Sequence, residues 1–396
     1  MPLHTPVTLT ASRLDADAPL SDRLLRAPAT GLHQGRGGGG GRVVEVAPSA
    51  LGTQDGQDTA LGWPTGHPEW IAAAARHLCP PDALRHLPAL DAGAQGKAVE
   101  RLPMALYTPA GRRAPRLTLP GAHVTGEPCD LPGPAAAGRL RQLAAQPLAI
   151  ELPRVPAESP TPNALRRALA GRALVRIFEA PGAPYVTLDD SWIDPLQRFN
   201  AGRRSDIRRA EQHARRLGGA RYEFHDDIPE EALPALLDEA FDVEARSWKG
   251  DAGSALALDL PMGRFVREVA HAAARSGGLR LAFLRVDGRA AAMQIALASA
   301  QRLWLLKIGY DPAYARCRPG HLLLLRTLAR AASQGLRSCE FMGHAAPWTA
   351  QWTDTLRACV GVRVYPLSLP GLHAWAEDGA DALRRRIGTR HGRGAQ

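Results

Sequence analysis

At 396 residues with a formal net charge of +10, the chain is too long for one ordinary core and predicts two domains with a tail. A 45% hydrophobic and 22% charged composition is that of a globular protein, and no run approaches the roughly 20 apolar residues that would span a bilayer. Five scattered cysteines (Cys79, Cys129, Cys317, Cys339, Cys359) form no C-x-x-C pair, so neither a zinc site nor a redox couple is expected. No basic stretch followed by an apolar one opens the chain, and the expected location is cytoplasmic.

Residues 1–60 lack hydrophobic periodicity and hold the Gly35–Arg42 run, which predicts a disordered Gly-rich tail. No apolar strand leads into that run and no Lys-Ser/Thr follows it, so it does not read as a phosphate loop. Pro68 opens a short helix, strands are expected at 104–108, 116–119 and 148–152, and a helix runs from Thr161-Pro162 to Gly171. Two further strands, 173–178 and 185–188, complete a small α/β region over 61–194.

From Phe199 the pattern changes. Arg203, Arg204, Arg208, Arg209, Arg215 and Arg216 lie along one predicted helix ending at Gly218, which reads either as a solvated face or as a clamp for phosphate or an acidic acceptor. Amphipathic helices follow over 229–248 and 260–276, then strands 279–286 and 290–298 about an Asp287-Gly288 hairpin turn, and a third strand at 302–310. Pro319-Gly320 starts a long helix to Ser333, closed by Gly335. A strand at 338–342, a short helix at 348–356 and a strand at 359–367 lead to a basic tail, 371–396, read as a fraying helix or a disordered end.

Five strings in order resemble the GNAT-type acyltransferases, in the branch related to Fem-type peptidyl transferases and to acetyltransferases of cellulose or exopolysaccharide synthesis. They are Arg203–Ala210, Val243–Gly250, Trp304–Asp311, Arg318–Leu323 and Glu340–Gly343. The resemblance implies an α/β (α+β) fold with a mixed, mainly antiparallel sheet over 195–370, preceded by a degenerate GNAT-like half at 61–194. It implies acetyl-CoA or another acyl-CoA as co-substrate and no metal, with a Fem-type aminoacyl-tRNA donor as the alternative. The loop Arg316-Cys317-Arg318-Pro319-Gly320-His321 departs from the common Gln/Arg-x-x-Gly-x-Gly/Ala pattern. The implied acceptor is a small molecule or sugar nucleotide, with peripheral association to envelope-polymer machinery. A nucleic-acid partner has only the cationic helix and tail in its favour, because no groove-reading motif or aromatic stacking stripe accompanies them.

Direct acyl transfer needs a base for the acceptor, an oxyanion site and an acid for the thiolate. Glu340 and Asp311, at strand ends, are candidate bases or structural caps; Tyr310 and Tyr314 are candidate acids or core residues, and His344 a second candidate base. For the cofactor, the uncapped N–H groups of the helix beginning at Pro319 attract phosphate, joined by Lys307, Arg316, Arg318, Gly320, His321 and Leu322. For the acceptor the candidates are Arg203, Arg204, Arg208, Glu244, Trp248 and Lys249, although Lys249 and Gly250 also suit a plain helix end. Lys307, in an otherwise apolar strand, needs a partner, for which Glu340 and Glu244 are the candidates.

Overall fold

The computed structural model describes residues 64–89, 101–131, 136–247 and 255–391. The first part comprises α1 (Pro68–His77), β1 (Leu84–Leu87), β2 (Leu102–Tyr107), β3 (Arg116–Thr118), α2 (Ala122–Thr125), α3 (Ala136–Ala144), β4 (Ala149–Pro156), α4 (Thr161–Ala168) and β5 (Ala173–Thr187). Two short 3-10 turns over 190–198 lead into α5 (Ala201–Arg216), β6 (Ala220–His225), α6 (Leu233–Ala245), α7 (Leu260–Arg275), β7 (Leu279–Val286), β8 (Arg289–Ser299) and β9 (Arg302–Tyr310). Then follow α8 (Pro319–Ser333), β10 (Ser338–Glu340), β11 (Leu356–Pro366) and α9 (Leu369–His391). The expected tail at 1–60, and residues 392–396 of the basic end, lie outside the described residues.

The strands make one sheet in the order β1-β2-β3-β4-β11-β5-β10-β9-β8-β7-β6. It is mixed and mostly antiparallel, as the sequence leads one to expect; among the described strands only β3/β4 and β9/β10 pair in parallel. Each parallel pair closes the same local pattern, an antiparallel strand pair followed by a helix and a returning strand: β2–β3 with α3 and β4, then β8–β9 with α8 and β10. The last strand, β11, returns to lie between β4 and β5, so the end of the chain completes the sheet of its first part.

Local chemistry explains most boundaries. Asp287 and Gly288 both take positive φ, the geometry a two-residue hairpin turn requires, and join β7 to β8. Asn200 caps α5 by accepting the Arg203 N–H at 2.9 Å, and Asp259 caps α7 through Met262. One face of the sheet packs on α6 and α7 through Leu237, Phe241, Phe265, Val266, Phe283, Ile295 and Trp304. The other packs on α8 through Leu303, Leu305, Leu324 and Leu328, with Ala210 and Ala214 of α5 alongside Leu322 and Leu323.

The sequence reading departs from the structure at several elements. The two strands expected at 173–178 and 185–188 are one strand, β5, which changes partner near Pro184: β11 pairs up to that residue and β10 from Tyr185 on. The helix expected at 348–356 shrinks to a 3-10 turn at Thr349–Gln351, because β11 already begins at Leu356. The tail is helical to His391, held by ion pairs described below. β1, β6 and α3 carry too little periodicity of their own to be read without the neighbours that complete them.

Candidate active site

The parallel ladder between β9 and β10 is short, running from Arg302↔Ser338 to Trp304↔Glu340, while β9 continues to Tyr310 against β8. Past Glu340 the chain leaves the sheet through Met342 and Gly343, both at positive φ. The end of this ladder is a split in the sheet, flanked by two groups of polar residues.

The first group surrounds a cavity of about 430 Å³ on the α8 side, lined by Gly202, Arg203, Asp206, Arg318, His321 and Trp352 among others. The N-termini of α5 and α8 both open on it, and α8 begins with no side-chain cap after Arg318, which adopts the left-handed conformation (φ 46°). The Arg203 guanidinium stacks on Phe199 and Trp352, 4.2 and 4.8 Å from the ring centroids, and donates to the Gln351 carbonyl. Burial, then the neighbouring Arg318 charge, pulls the Arg203 pKa down. His321, bonded to the Gln351 side chain at 2.6 Å, is likewise held below its usual value, by burial and by Arg318 and Arg203 against the Gln351 bond. Asp206 offsets this charge only loosely, 3.7 Å from Arg318. The cavity is thus a net cationic site at two helix N-termini, chemistry suited to phosphate.

The second group joins the two parts of the chain. Buried Arg154 of β4 donates to the carbonyls of Gly126, Pro181, Gly182 and Gly343, stapling two loops to β5. Glu127 accepts the Gly343 N–H, and His344 lies across from Gly126. Burial pushes the Glu127 carboxyl up, outweighing the Gly343 bond and the charges of Arg154 and Lys307. Burial, with the Arg154 charge, pulls His344 down to about 4, so it is neutral near pH 7. Two titratable bases, a carboxylate of raised pKa and an uncharged imidazole, therefore stand at the mouth of the split.

Residues 201–349 match the family described as Acetyltransferase (GNAT) domain. This segment is a GNAT acyltransferase domain. No curated protein matches the chain. Among solved structures it is similar to FemX, at 9% identity and TM-score 0.47, with 76% of this chain and 92% of that one covered. It is also similar to L-PGS from Bacillus licheniformis, at 12% identity and TM-score 0.40, covering 78% and 96%. The PaiA N-acetyltransferase from Thermoplasma acidophilum, in complex with coenzyme A, aligns at 17% identity and TM-score 0.26, over 36% and 98%.

Within the GNAT domain several expected site residues are placed elsewhere. Glu340 is buried and fully engaged: its carboxylate accepts from Arg357 at 2.6 and 2.7 Å and from the Ser338 hydroxyl at 2.6 Å, so it locks β10 to β11 and is not free to take a proton. Asp311 caps the 3-10 turn after β9 through the Ala313 N–H and pairs with Arg246. Glu244, also buried, accepts the Leu256 N–H, and its backbone packs against Gly309. Of the two partners expected for Lys307, Glu340 is committed to Arg357.

The Arg clamp does not form as one unit. Arg203 faces the cavity, but Arg204 donates to the Phe199 carbonyl and Arg208 is exposed on another side of α5. Arg316 is exposed and does not line the cavity, whereas Arg318, His321 and Leu322 do and Gly320 packs against the Tyr310 ring. Trp248 and Lys249 lie outside the described residues. Glu127, Arg154 and Gln351 were not legible as site residues, since each lies in a segment without a motif and reaches the site through pairing remote in sequence, such as the Cys129 N–H to Arg154 carbonyl bond.

Proposed function

We propose that the chain transfers an acyl group, acetyl in the simplest case, from a coenzyme A thioester to an amine or hydroxyl acceptor. The observation that carries this reading is the cationic cavity at the N-termini of α5 and α8 beside the end of the β9/β10 ladder. A pyrophosphate there would meet the first turn of α8, the Arg318 and Arg203 guanidinium groups and His321. The acyl end would then reach the split, with Tyr310 near the donor and Glu127 and His344 on the acceptor side.

In the transfer the acceptor lone pair attacks the thioester carbonyl, the new C–N or C–O bond forms and the C–S bond breaks. Glu127 takes the acceptor proton, its raised pKa matching the task better than an ordinary surface carboxylate. The departing thiolate takes a proton from the Tyr310 hydroxyl, which solvent restores; the exposure of Tyr310 at the end of β9 allows that exchange. An acceptor drawn from envelope precursors, whether sugar nucleotide or amine, rests on the family resemblance, since Arg203 is assigned here to the donor and Arg208 faces away.

Thiol release from acetyl-CoA against a panel of amines, amino sugars and nucleotide sugars tests the proposal. Turnover that falls at least about a hundredfold in Glu127→Gln, with an unchanged KM for acetyl-CoA, is expected. Transfer from an aminoacyl-tRNA with none from acyl-CoA would replace the donor, and an undiminished Glu127→Gln would remove the base.

A further inference from the structure

We infer that the outer face of α9 docks the protein on an anionic phospholipid surface. α9 has its polarity inverted. Its inner side is tied down by charge: Asp378 accepts from buried Arg116 at 2.7 Å and from Tyr365 at 2.6 Å, Asp381 pairs with Arg112 at 2.7 Å, and Glu377 accepts the N–H groups of Arg113 and Ala114. Among its described residues the apolar contact buried on this side is small, Gly371 beside Pro366 and Ala374 against Tyr365, Ala114 and Ala149.

The outer side is apolar. Leu369 is 87% exposed, Leu372 40%, Trp375 51% and Leu383 59%, and Ala376 and Gly379 between them are exposed as well. Positions 369, 372, 376, 379 and 383 follow steps of three and four, which on a helix trace one stripe, and Trp375, three from 372 and four from 379, widens it. Leu367, just before the helix, is 56% exposed, and its N–H bonds the Arg172 carbonyl next to the start of β5, where Leu174 is 43% exposed. A helix packed on its own protein ordinarily turns such a stripe inward, and a contiguous exposed apolar surface marks an interaction site.

Charge identifies the occupant. The stripe ends beside exposed Arg384, after which the sequence continues with Arg385, Arg386 and Arg390, and exposed Arg172, whose carbonyl holds the Leu367 N–H, lies at its other end, on a chain of formal charge +10. An apolar stripe holding a Trp and flanked by arginines is the arrangement that lies in the headgroup layer of an anionic bilayer. No helix among the described residues is long and apolar enough to cross a membrane, so the contact is one of lying on the surface. It does not rest on the acyl-transfer reading.

The test is flotation of the full chain with vesicles of phosphatidylcholine, with and without a quarter of phosphatidylglycerol. Binding is expected only with phosphatidylglycerol and is expected to weaken as salt rises. The combined Leu369→Ser, Leu372→Ser and Trp375→Ser variant should lose about tenfold or more of the binding. Each of Arg384→Gln, Arg385→Gln and Arg386→Gln should lose up to roughly fivefold on the anionic vesicles alone. Leu369, Leu372, Trp375 and Arg384 are exposed and outside the buried network, and an unchanged thermal melt checks that the fold is kept in every variant. Absence of binding to phosphatidylglycerol vesicles at low salt overturns the inference, as does full binding by the triple serine variant. A concentration-dependent dimer that the triple serine variant dissolves, with no lipid binding, would assign the face to a second copy instead.

Discussion

Arg357→Ala separates a structural from a catalytic role for Glu340. In the native chain the Glu340 carboxylate is 1% exposed and its two oxygens are met by Arg357 Nε, Arg357 Nη2 and Ser338 Oγ at 2.6–2.7 Å. Removing the guanidinium leaves a buried carboxylate with one hydroxyl donor, which costs about 3–5 kcal/mol. That is a large part of a typical total stability of about 5–15 kcal/mol. Replacing both partners, Glu340→Leu with Arg357→Met, removes the stranded charge and should recover roughly 1–4 kcal/mol of the loss. Urea unfolding followed by circular dichroism reads both values, and thiol release well below the transition reads activity. Loss of stability with turnover kept within a few-fold is expected for each variant that remains folded. The reasoning fails if Arg357→Ala leaves the midpoint unchanged, or if Glu340→Gln abolishes turnover at unchanged stability.

The rate profile should carry an acid limb set by Glu127. Its pKa is raised, so activity rises with pH through a value above the ordinary carboxylate range, and Glu127→Gln should abolish the limb; a limb near 4 that survives this change would give the base role to His344. Asp311→Ala should lose about 0.5–2 kcal/mol, the usual value of a lost cap, and retain most turnover, as measured by urea midpoint and thiol release. The α9 anchor should weaken in acid. Burial raises the Asp378 pKa, but hydrogen bonds from Arg116 and Tyr365 and the charges of Arg363 and Arg116 outweigh it and hold the carboxyl below its usual value. Its contribution is therefore complete above about pH 4 and lost as pH falls further, which hydrogen exchange over 369–384 would detect.

How much of this was readable in the residues depended on whether the signal was local. The Asp287-Gly288 hairpin and the Pro319 helix start are written in adjacent residues, and part of the cavity lining follows from the latter: Arg318, His321 and Leu322 lie at that helix start. β5 reads as two strands because Pro181, Gly182 and Pro184 interrupt it. In the structure Arg154 takes the Pro181 and Gly182 carbonyls, and a change of partner strand absorbs the break. Glu340 looked catalytic because a carboxylate at the end of an apolar strand needs an explanation, and the explanation, Arg357, lies on another strand. Glu127 is invisible for the converse reason: nothing around Gly126-Glu127-Pro128 signals chemistry until the Gly343 N–H is folded against it.

Isothermal titration with coenzyme A tests directly whether the cavity between α5 and α8 binds the phosphates of an acyl-CoA. The wild-type chain should bind, and Arg203→Ala and Arg318→Ala should each weaken binding. With Arg318 partly exposed, loss of one charged hydrogen bond is worth about 1–2 kcal/mol, or roughly 5- to 30-fold in Kd. Arg208→Ala, on the exposed side of α5, should leave it unchanged. Wild-type binding that neither cavity arginine affects, or none at millimolar coenzyme A, would contradict the account.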